Sequence, residues 1–335
     1  MTRPAAGGET GAAAVETAPL ADAAARDAYA ALWAASPQRT VFAGLAFADA
    51  ACAAFGLTGR LALGRAPDGR AVVGAVLFEK RTGPLRQIVV PPLTPYTGPL
   101  FAGEVGIESA DAVRAFFAAV TEGAASAAFH LSPAVSDVRP FLWAGFTASP
   151  RYTYWGPSGL ADAPPYVRKM VRENGPVRVD GSTRETGTAT YADPSAAADV
   201  VRAMERAFAR RGEPMPVDAA QAERFVRALA DAGLARIVVA ETRGTRVGAV
   251  ATLTDGRTGH FWAGAGDPGP SMLLLMATTT EALAAEGVPA FDLVGANMEQ
   301  ISTFKQRFGL PLAVHYRVSW TGARVLRLRD ALRAA

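Results

Sequence analysis

Two stretches of the chain carry the same alternation of apolar and polar positions, offset by about 174 residues. In the first, Arg60-Leu61-Ala62-Leu63-Gly64-Arg65 precedes the turn Pro67-Asp68-Gly69, and Ala71 to Phe78 follows as a second apolar run. In the other, Arg236-Ile237-Val238-Val239-Ala240-Glu241 precedes Arg243-Gly244, and Arg246 to Leu253 follows. Each reads as a β-hairpin: β-rich runs bounded by turn residues. A further strand comes next, then a helix (Ser109 to Thr121; Ser271 to Glu286), then a short buried strand, Ala128-Phe129-His130-Leu131 or Ala290-Phe291-Asp292-Leu293. Each half closes with a helix ending in glycine, at Gly145 and Gly309, and a strand ending in Trp155 or Trp320. Glycine past a helix end is the residue that accepts the left-handed cap conformation.

Between the halves, Pro164 to Gly175 predicts a short basic helix carrying Arg168, Lys169 and Arg172. Helices over Pro194–Arg211 and Asp218–Gly233 open the second half, with Val200, Val201, Met204 and Phe225, Val226, Leu229 at helical spacing. The expected organisation is a disordered tail over 1–20, a first unit over 21–160, a hinge helix over 161–178 and a second unit over 179–335. Each unit is a mixed α/β fold, a mainly antiparallel sheet flanked by helices.

Composition narrows the chemistry. The chain has 335 residues, half of them hydrophobic, and a net charge of only +3, which is no argument for nucleic-acid binding by itself. One cysteine, Cys52, forms no internal disulfide, and three scattered histidines do not make an ordinary zinc site. Cys52 lies in an apolar helical run and reads as a buried structural thiol. No metal is expected. The N-terminal residues lack the apolar core of a signal peptide, and no stretch reaches the roughly 18 apolar residues of a spanning helix. A soluble, cytoplasmic protein is the expectation.

Three segments carry a family resemblance: Val90-Pro91-Pro92-Leu93-Thr94-Pro95-Tyr96-Thr97-Gly98-Pro99-Leu100; Phe291-Asp292-Leu293-Val294-Gly295-Ala296-Asn297; and Phe304-Lys305-Gln306-Arg307-Phe308-Gly309. Together with the element order over about residues 25–320, they resemble the FemAB-type proteins, in which two acetyltransferase-like (GNAT) folds are fused in tandem. The resemblance implies an acyltransferase that moves an acyl or aminoacyl group from acyl-CoA or aminoacyl-tRNA, as co-substrate, to an amine. It implies a small-molecule, peptide or cell-wall-precursor-like acceptor, with tRNA as a further partner.

Amine attack on an acyl donor needs positioning and a place for the lost proton, not a covalent nucleophile. Lys305 is a candidate catalytic residue: the resemblance implies that it handles the donor, and its ammonium would face the donor carbonyl or a phosphate, against the alternative of a solvated helix charge. Phe304 and Phe308 share the apolar face beside it. Asp292, at the carboxyl end of a buried strand, is the second; it could take the amine proton, or bond the backbone of its own turn. His130 and His315, on strand patterns, are more simply packed than catalytic. Tyr96 and Thr97, in a proline-rich loop, and Arg168 in the hinge are candidates for binding the acceptor.

Gly264-Ala265-Gly266-Asp267-Pro268-Gly269 matches G-x-G-x-x-G between a strand and a helix. It reads poorly as a dinucleotide site, because the preceding strands form an antiparallel hairpin and Asp267 places a negative charge where pyrophosphate would sit. The usual Q/R-x-x-G-x-G/A loop of CoA-binding acetyltransferases is absent. Gly266, Gly269 and the helix start at Ser271 could still hold an anion, and with Asn297 and Phe304 they make up the expected donor site. Arg168 and Arg172, with Arg324, Arg327, Arg329 and Arg333 near the C-terminus, are candidate contacts for tRNA or another anion. The active cleft is expected mainly in the second half. The alternative is a catalytically silent protein of the same fold that binds a peptide or glycan.

Overall fold

The computed structural model describes residues 14–159, 187–242, 244–267, 271–322 and 327. The expected hinge helix, with Arg168, lies outside the described residues.

The two hairpins form where alternation places them, as β2 (Thr58–Arg65) with β3 (Ala71–Thr82) and β9 (Ala235–Thr242) with β10 (Thr245–Thr254). In the first half they are joined by β1 (Ala14–Pro19), β4 (Leu85–Val89), β5 (Leu100–Phe101), β6 (Ala124–His130) and β7 (Thr147–Pro157). The second adds β8 (Gly187–Ala192), β11 (Thr258–Gly266), β12 (Ala290–Asp292) and β13 (Leu312–Thr321). All belong to one mixed, mostly antiparallel sheet ordered β1-β2-β3-β4-β6-β13-β7-β12-β11-β10-β9-β8, with β5 on β3.

At the centre of this order the halves exchange their last strands. β13 lies between β6 and β7, and β7 lies between β13 and β12, all antiparallel. Each exchanged strand therefore pairs on both sides with strands of the other half, and residues far apart in sequence meet here.

Helices α1 (Ala23–Ala35), α2 (Leu45–Phe55), α3 (Ala110–Thr121) and α4 (Arg139–Trp143) belong to the first half; α5 (Ala197–Arg210), α6 (Ala219–Asp231), α7 (Ser271–Ala285) and α8 (Glu299–Lys305) to the second. Asp22 and Asp218 cap α1 and α6 by accepting from the Ala25 and Gln221 amides at 2.9 and 3.0 Å. The buried stripe of α6, Ala222, Phe225, Val226 and Leu229, follows the spacing read in the sequence. Gly309 ends the last helical turn at φ 75°, as its position predicts.

The core is common to both halves: Phe47 of α2 packs edge-on against Phe225 of α6 at 5.3 Å. At its edge the Arg39 guanidinium lies 3.0 Å from the Asp255 carboxylate, both nearly buried, and stacks on Trp33 at 4.3 Å. The disordered tail expected over 1–20 does not extend over residues 14–20. Ala14–Pro19 pairs along its whole length with β2, and Leu20 is buried. An edge strand held by backbone bonds, with most side chains exposed, has little apolar alternation to betray it.

Candidate functional site

β11 and β12 are parallel neighbours for three residue pairs, ending at His260 and Asp292. β12 stops there while β11 continues to Gly266, and the sheet opens. A cleft of about 690 Å3 occupies the opening, lined among others by Phe208 of α5, Trp262, Gly264 and Gly266 of β11, Val294 after β12 and Phe304 of α8.

Two backbone irregularities shape its floor. Against β10, Ala263 pairs with Ala251 and Phe261 with Thr252, leaving Trp262 as the extra residue of a bulge. The Trp262 indole N–H is thereby aimed at the Leu93 carbonyl, 2.6 Å away, in the loop after β4. Gly264 has φ 130°, and a Cβ there would stand 2.2 Å from the Ala249 carbonyl oxygen, so only glycine fits.

Lys305 and Asp292 do converge, on the backbone of the strand-end turn; Lys305 also lines the cleft, and Asp292 does not. The strand-end turn holds Val294 at φ 46° and Gly295 at φ 73°, and a β-branched residue at positive φ is costly. Asp292 Oδ1 accepts the Val294 amide at 2.9 Å. From the other side the Lys305 ammonium donates to the carbonyls of Leu293 at 2.6 Å, Val294 by a shorter bond, and Gly295 at 2.9 Å. Lys305 is thus neither a solvated charge nor a free cation facing the donor, since all three of its N–H groups are engaged. Burial lowers its pKa to about 8 against the opposing pull of Asp292.

Asp292 is wholly buried and also accepts from Tyr96 Oη at 2.9 Å and Thr153 Oγ1 at 2.5 Å, with His260 Nδ1 at 2.9 Å. Burial pushes its pKa up, but the hydrogen bond and charge of His260, the Thr153 hydroxyl and the Val294 amide together hold it below the usual carboxylate range. No open route leads an amine proton to it directly; its place is beneath the cleft, holding the turn.

The remaining expected site residues divide. Gly266 and Phe304 line the cleft; Phe304 packs against Phe308 at 5.5 Å, and the Gly266 carbonyl accepts from Arg210 at 2.9 Å. The Ser271 hydroxyl is turned inward onto the Asp267 carbonyl at 2.7 Å. The Asn297 side chain accepts the Tyr152 amide at 3.0 Å, pinning the turn to β7 instead of facing a donor. Tyr96 and Thr97 are buried, so neither lines an acceptor pocket: Tyr96 bonds Asp292, and Thr97 exchanges hydrogen bonds with the His130 backbone at 2.8 and 2.9 Å. The rigid loop, placed between the halves, faces inward. Gly269 and Arg168 lie outside the described residues, as do Arg172, Arg324, Arg329 and Arg333.

Asp267, at the turn before α7, holds Arg206 at 2.9 Å and Arg210 at 3.1 Å. Sequence reading passed over His260, whose position in an apolar strand run was its only signal, and also Thr153, Leu93 and Trp262. Among the described residues no group of three or more His, Cys, Asp or Glu could hold a metal ion, and no helix is long and apolar enough to cross a membrane.

Residues 167–306 match the family model of the acetyltransferase (GNAT) domain. The whole fold is similar to the crystal structure of FemX, at 14% identity and TM-score 0.67 over 93% of this chain and 98% of that one. A tandem GNAT protein from the clavulanic acid biosynthesis pathway gives 14% identity and 0.56 over 92% and 99%. L-PGS from Bacillus licheniformis gives 10% and 0.53 over 93% and 96%. A comparison with curated protein sequences gives no match.

Proposed function

We propose that this chain, a GNAT-fold protein of the FemAB-like type, is an N-acyltransferase whose activated donor lies in the cleft where β11 and β12 part. The observation that carries the reading is that parting, with the bulge at Trp262 on its floor. A bulge takes a residue out of the ladder, and backbone freed beside a cleft is a candidate donor to the oxygen of the reacting carbonyl.

In the reaction the amine nitrogen bonds to the acyl carbon, the bond to the leaving sulfur or oxygen breaks with its electron pair going to that atom, and the proton given up by the nitrogen neutralises the leaving thiolate or alkoxide. Positioning is what the described residues supply. Val294 lines the cleft, and Asp292 and Lys305 fix it in a strained conformation from opposite sides. They act as positioning residues.

Asp267 bears on the donor. Its carboxylate, already matched by Arg206 and Arg210, stands where a pyrophosphate would compete for the same arginines. This favours an aminoacyl ester, such as aminoacyl-tRNA, over acyl-CoA. One observation favours a binding protein without turnover: Asp292 is buried away from the cleft, and Lys305, although it lines the cleft, has all three N–H groups on backbone carbonyls.

Ala207 of α5 lines the cleft and is only half-buried, so Ala207→Trp fills the cleft without entering the core. Thermal unfolding and equilibrium binding with acetyl-CoA, free CoA and an aminoacylated tRNA acceptor stem test the reading. The expected result is a ligand-dependent rise in Tm in the wild type that is lost in Ala207→Trp. Equal binding by both proteins would overturn the cleft as donor site, and binding without transfer to any amine would favour the silent protein.

A further inference from the structure

The cleft passes through the gap in the sheet, so its two walls come from opposite faces. Alternation along β9 sends Ile237 and Val239 to the hydrophobic group under α5, and Val238 and Ala240 to the group under α7. Where β12 stops, both groups reach the opening. Leu93, Met204 and Phe208 line it from the α5 side, and Met272, Met276 and Phe304 from the α7 side. Met204 and Met276 are buried while Phe208, Met272 and Phe304 are half-buried, so the apolar lining is continuous from the interior to the mouth. Three of the chain's seven methionines stand here. Their unbranched, polarisable side chains adapt to apolar groups of varied shape and make favourable contacts with aromatic rings.

The charged side chains at the cleft are matched by groups of the protein itself. Lys305 is held by three backbone carbonyls. Arg211 pairs with Glu213 at 2.9 Å and lies over the Phe208 ring at 4.4 Å. Arg210 reaches Asp267 at 3.1 Å and the Gly266 carbonyl at 2.9 Å. Asp267, the only carboxylate among the described lining residues, is shared by Arg206 and Arg210. Among the described residues the lining therefore offers no unmatched charge to a cationic or anionic side chain, and a charge carried in without a partner is costly. Apolar surface gains free energy with the area it removes from water. A cleft of about 690 Å3 leaves room for far more than a methyl group.

Resting on the transferase reading above, we infer that the transferred acyl or aminoacyl group carries a large, uncharged, apolar side chain, aromatic or aliphatic. The two apolar walls receive it, and they set the choice of donor by what it carries rather than by its leaving group. Small groups are disfavoured by the contacts they fail to make, and charged ones by the lack of a counter-charge.

The probes are RNA acceptor-stem hairpins carrying phenylalanine, leucine, alanine or lysine through a 3′-amide, which does not transfer, so binding alone is read. Octanoyl-CoA and acetyl-CoA make the same comparison on the other donor class. Equilibrium titration is run on wild type, Phe304→Ala, Met272→Glu and Ala207→Trp. The phenylalanyl and leucyl hairpins, or octanoyl-CoA in the second series, are expected to bind wild type about tenfold tighter than their small or charged counterparts. Phe304→Ala is expected to lose about tenfold in affinity for the large group with the small one unchanged, a selective loss that misfolding does not give. Met272→Glu supplies a carboxylate and should shift preference from phenylalanine towards lysine, a gain that misfolding cannot produce. Equal affinities within both series, all lost in Ala207→Trp, overturn the apolar preference and leave the donor cleft standing, as does tightest binding of the small or charged member. Binding that Ala207→Trp does not weaken, or no binding in either series, overturns the donor cleft and this inference with it.

Discussion

Tyr96 and Asp292 lie 196 positions apart and share a buried hydrogen bond of 2.9 Å. One comes from the loop after β4 and the other from the end of β12, so the bond ties the first half to the turn at the cleft of the second. Removing the carboxylate leaves Tyr96, Thr153, His260 and the Val294 amide without their common acceptor. Asp292→Ala is expected to cost about 3–5 kcal/mol, as breaking a buried pair does, and Tyr96→Phe about 1–2 kcal/mol. Urea unfolding at pH 7 measures both. Equal, small losses would mean that the carboxylate is not the organising group.

Acid should expose the same group. Asp292 is held below the usual carboxylate range because the contacts of His260, Thr153 and Val294 outweigh burial. A carboxyl with a depressed folded pKa contributes stability that is fully present above its unfolded value, near 3.9, and lost as pH falls through the lower folded value. Asp292→Asn, weaker at pH 7, is therefore expected to lose less between pH 5 and pH 2 than wild type does. Parallel stability curves for the two proteins would assign the acid limb to other carboxylates.

How far the sequence reveals this arrangement differs from element to element. The hairpins, the buried face of α6 and the cap at Gly309 follow from local periodicity and glycine position, which act over a few residues. The exchange of β7 and β13 has no such signature: each half supplies a strand of similar character, so pairing within a half or across halves looks alike along the chain. The histidines look scattered for a related reason, since His315 reaches Tyr96, at 5.1 Å, only because β13 lies among strands of the first half, and His260 reaches it from β11 at 6.0 Å. Lys305 and Asp292 stand out by residue type and motif, but what they hold is a turn whose strain at Val294 is invisible until φ is known.

Lys305 gives a signature at alkaline pH. Burial brings its pKa to about 8, while in the unfolded chain a lysine titrates near 10.4. Between these values the unfolded state holds the proton and the folded state gives it up, so the Lys305 contribution to stability rises with pH across roughly pH 8 to 10. The neutral amine has one N–H fewer than its three carbonyl acceptors require, so the turn loosens even as the buried charge disappears. Wild type is expected to gain stability relative to Lys305→Met from pH 7 to pH 9.5, while binding of a cleft ligand weakens above pH 8. A stability difference that stays constant with pH would show that Lys305 keeps its charge throughout.

Asp267 provides the sharpest test of donor choice. Its carboxylate binds Arg206 and Arg210 at the turn before α7, and the Arg210 guanidinium also reaches the Gly266 carbonyl. These groups are half-exposed, so their mutual attraction contributes little to stability, and Asp267→Asn should leave Tm nearly unchanged. What changes is the charge of the site: two arginines at the rim of the cleft lose their internal counter-ion and become available to an anionic ligand. Affinity for CoA is expected to rise about tenfold in Asp267→Asn, with a steeper dependence on salt. If CoA binds no better, the carboxylate is not what keeps a pyrophosphate out, and the preference for an aminoacyl ester loses its support.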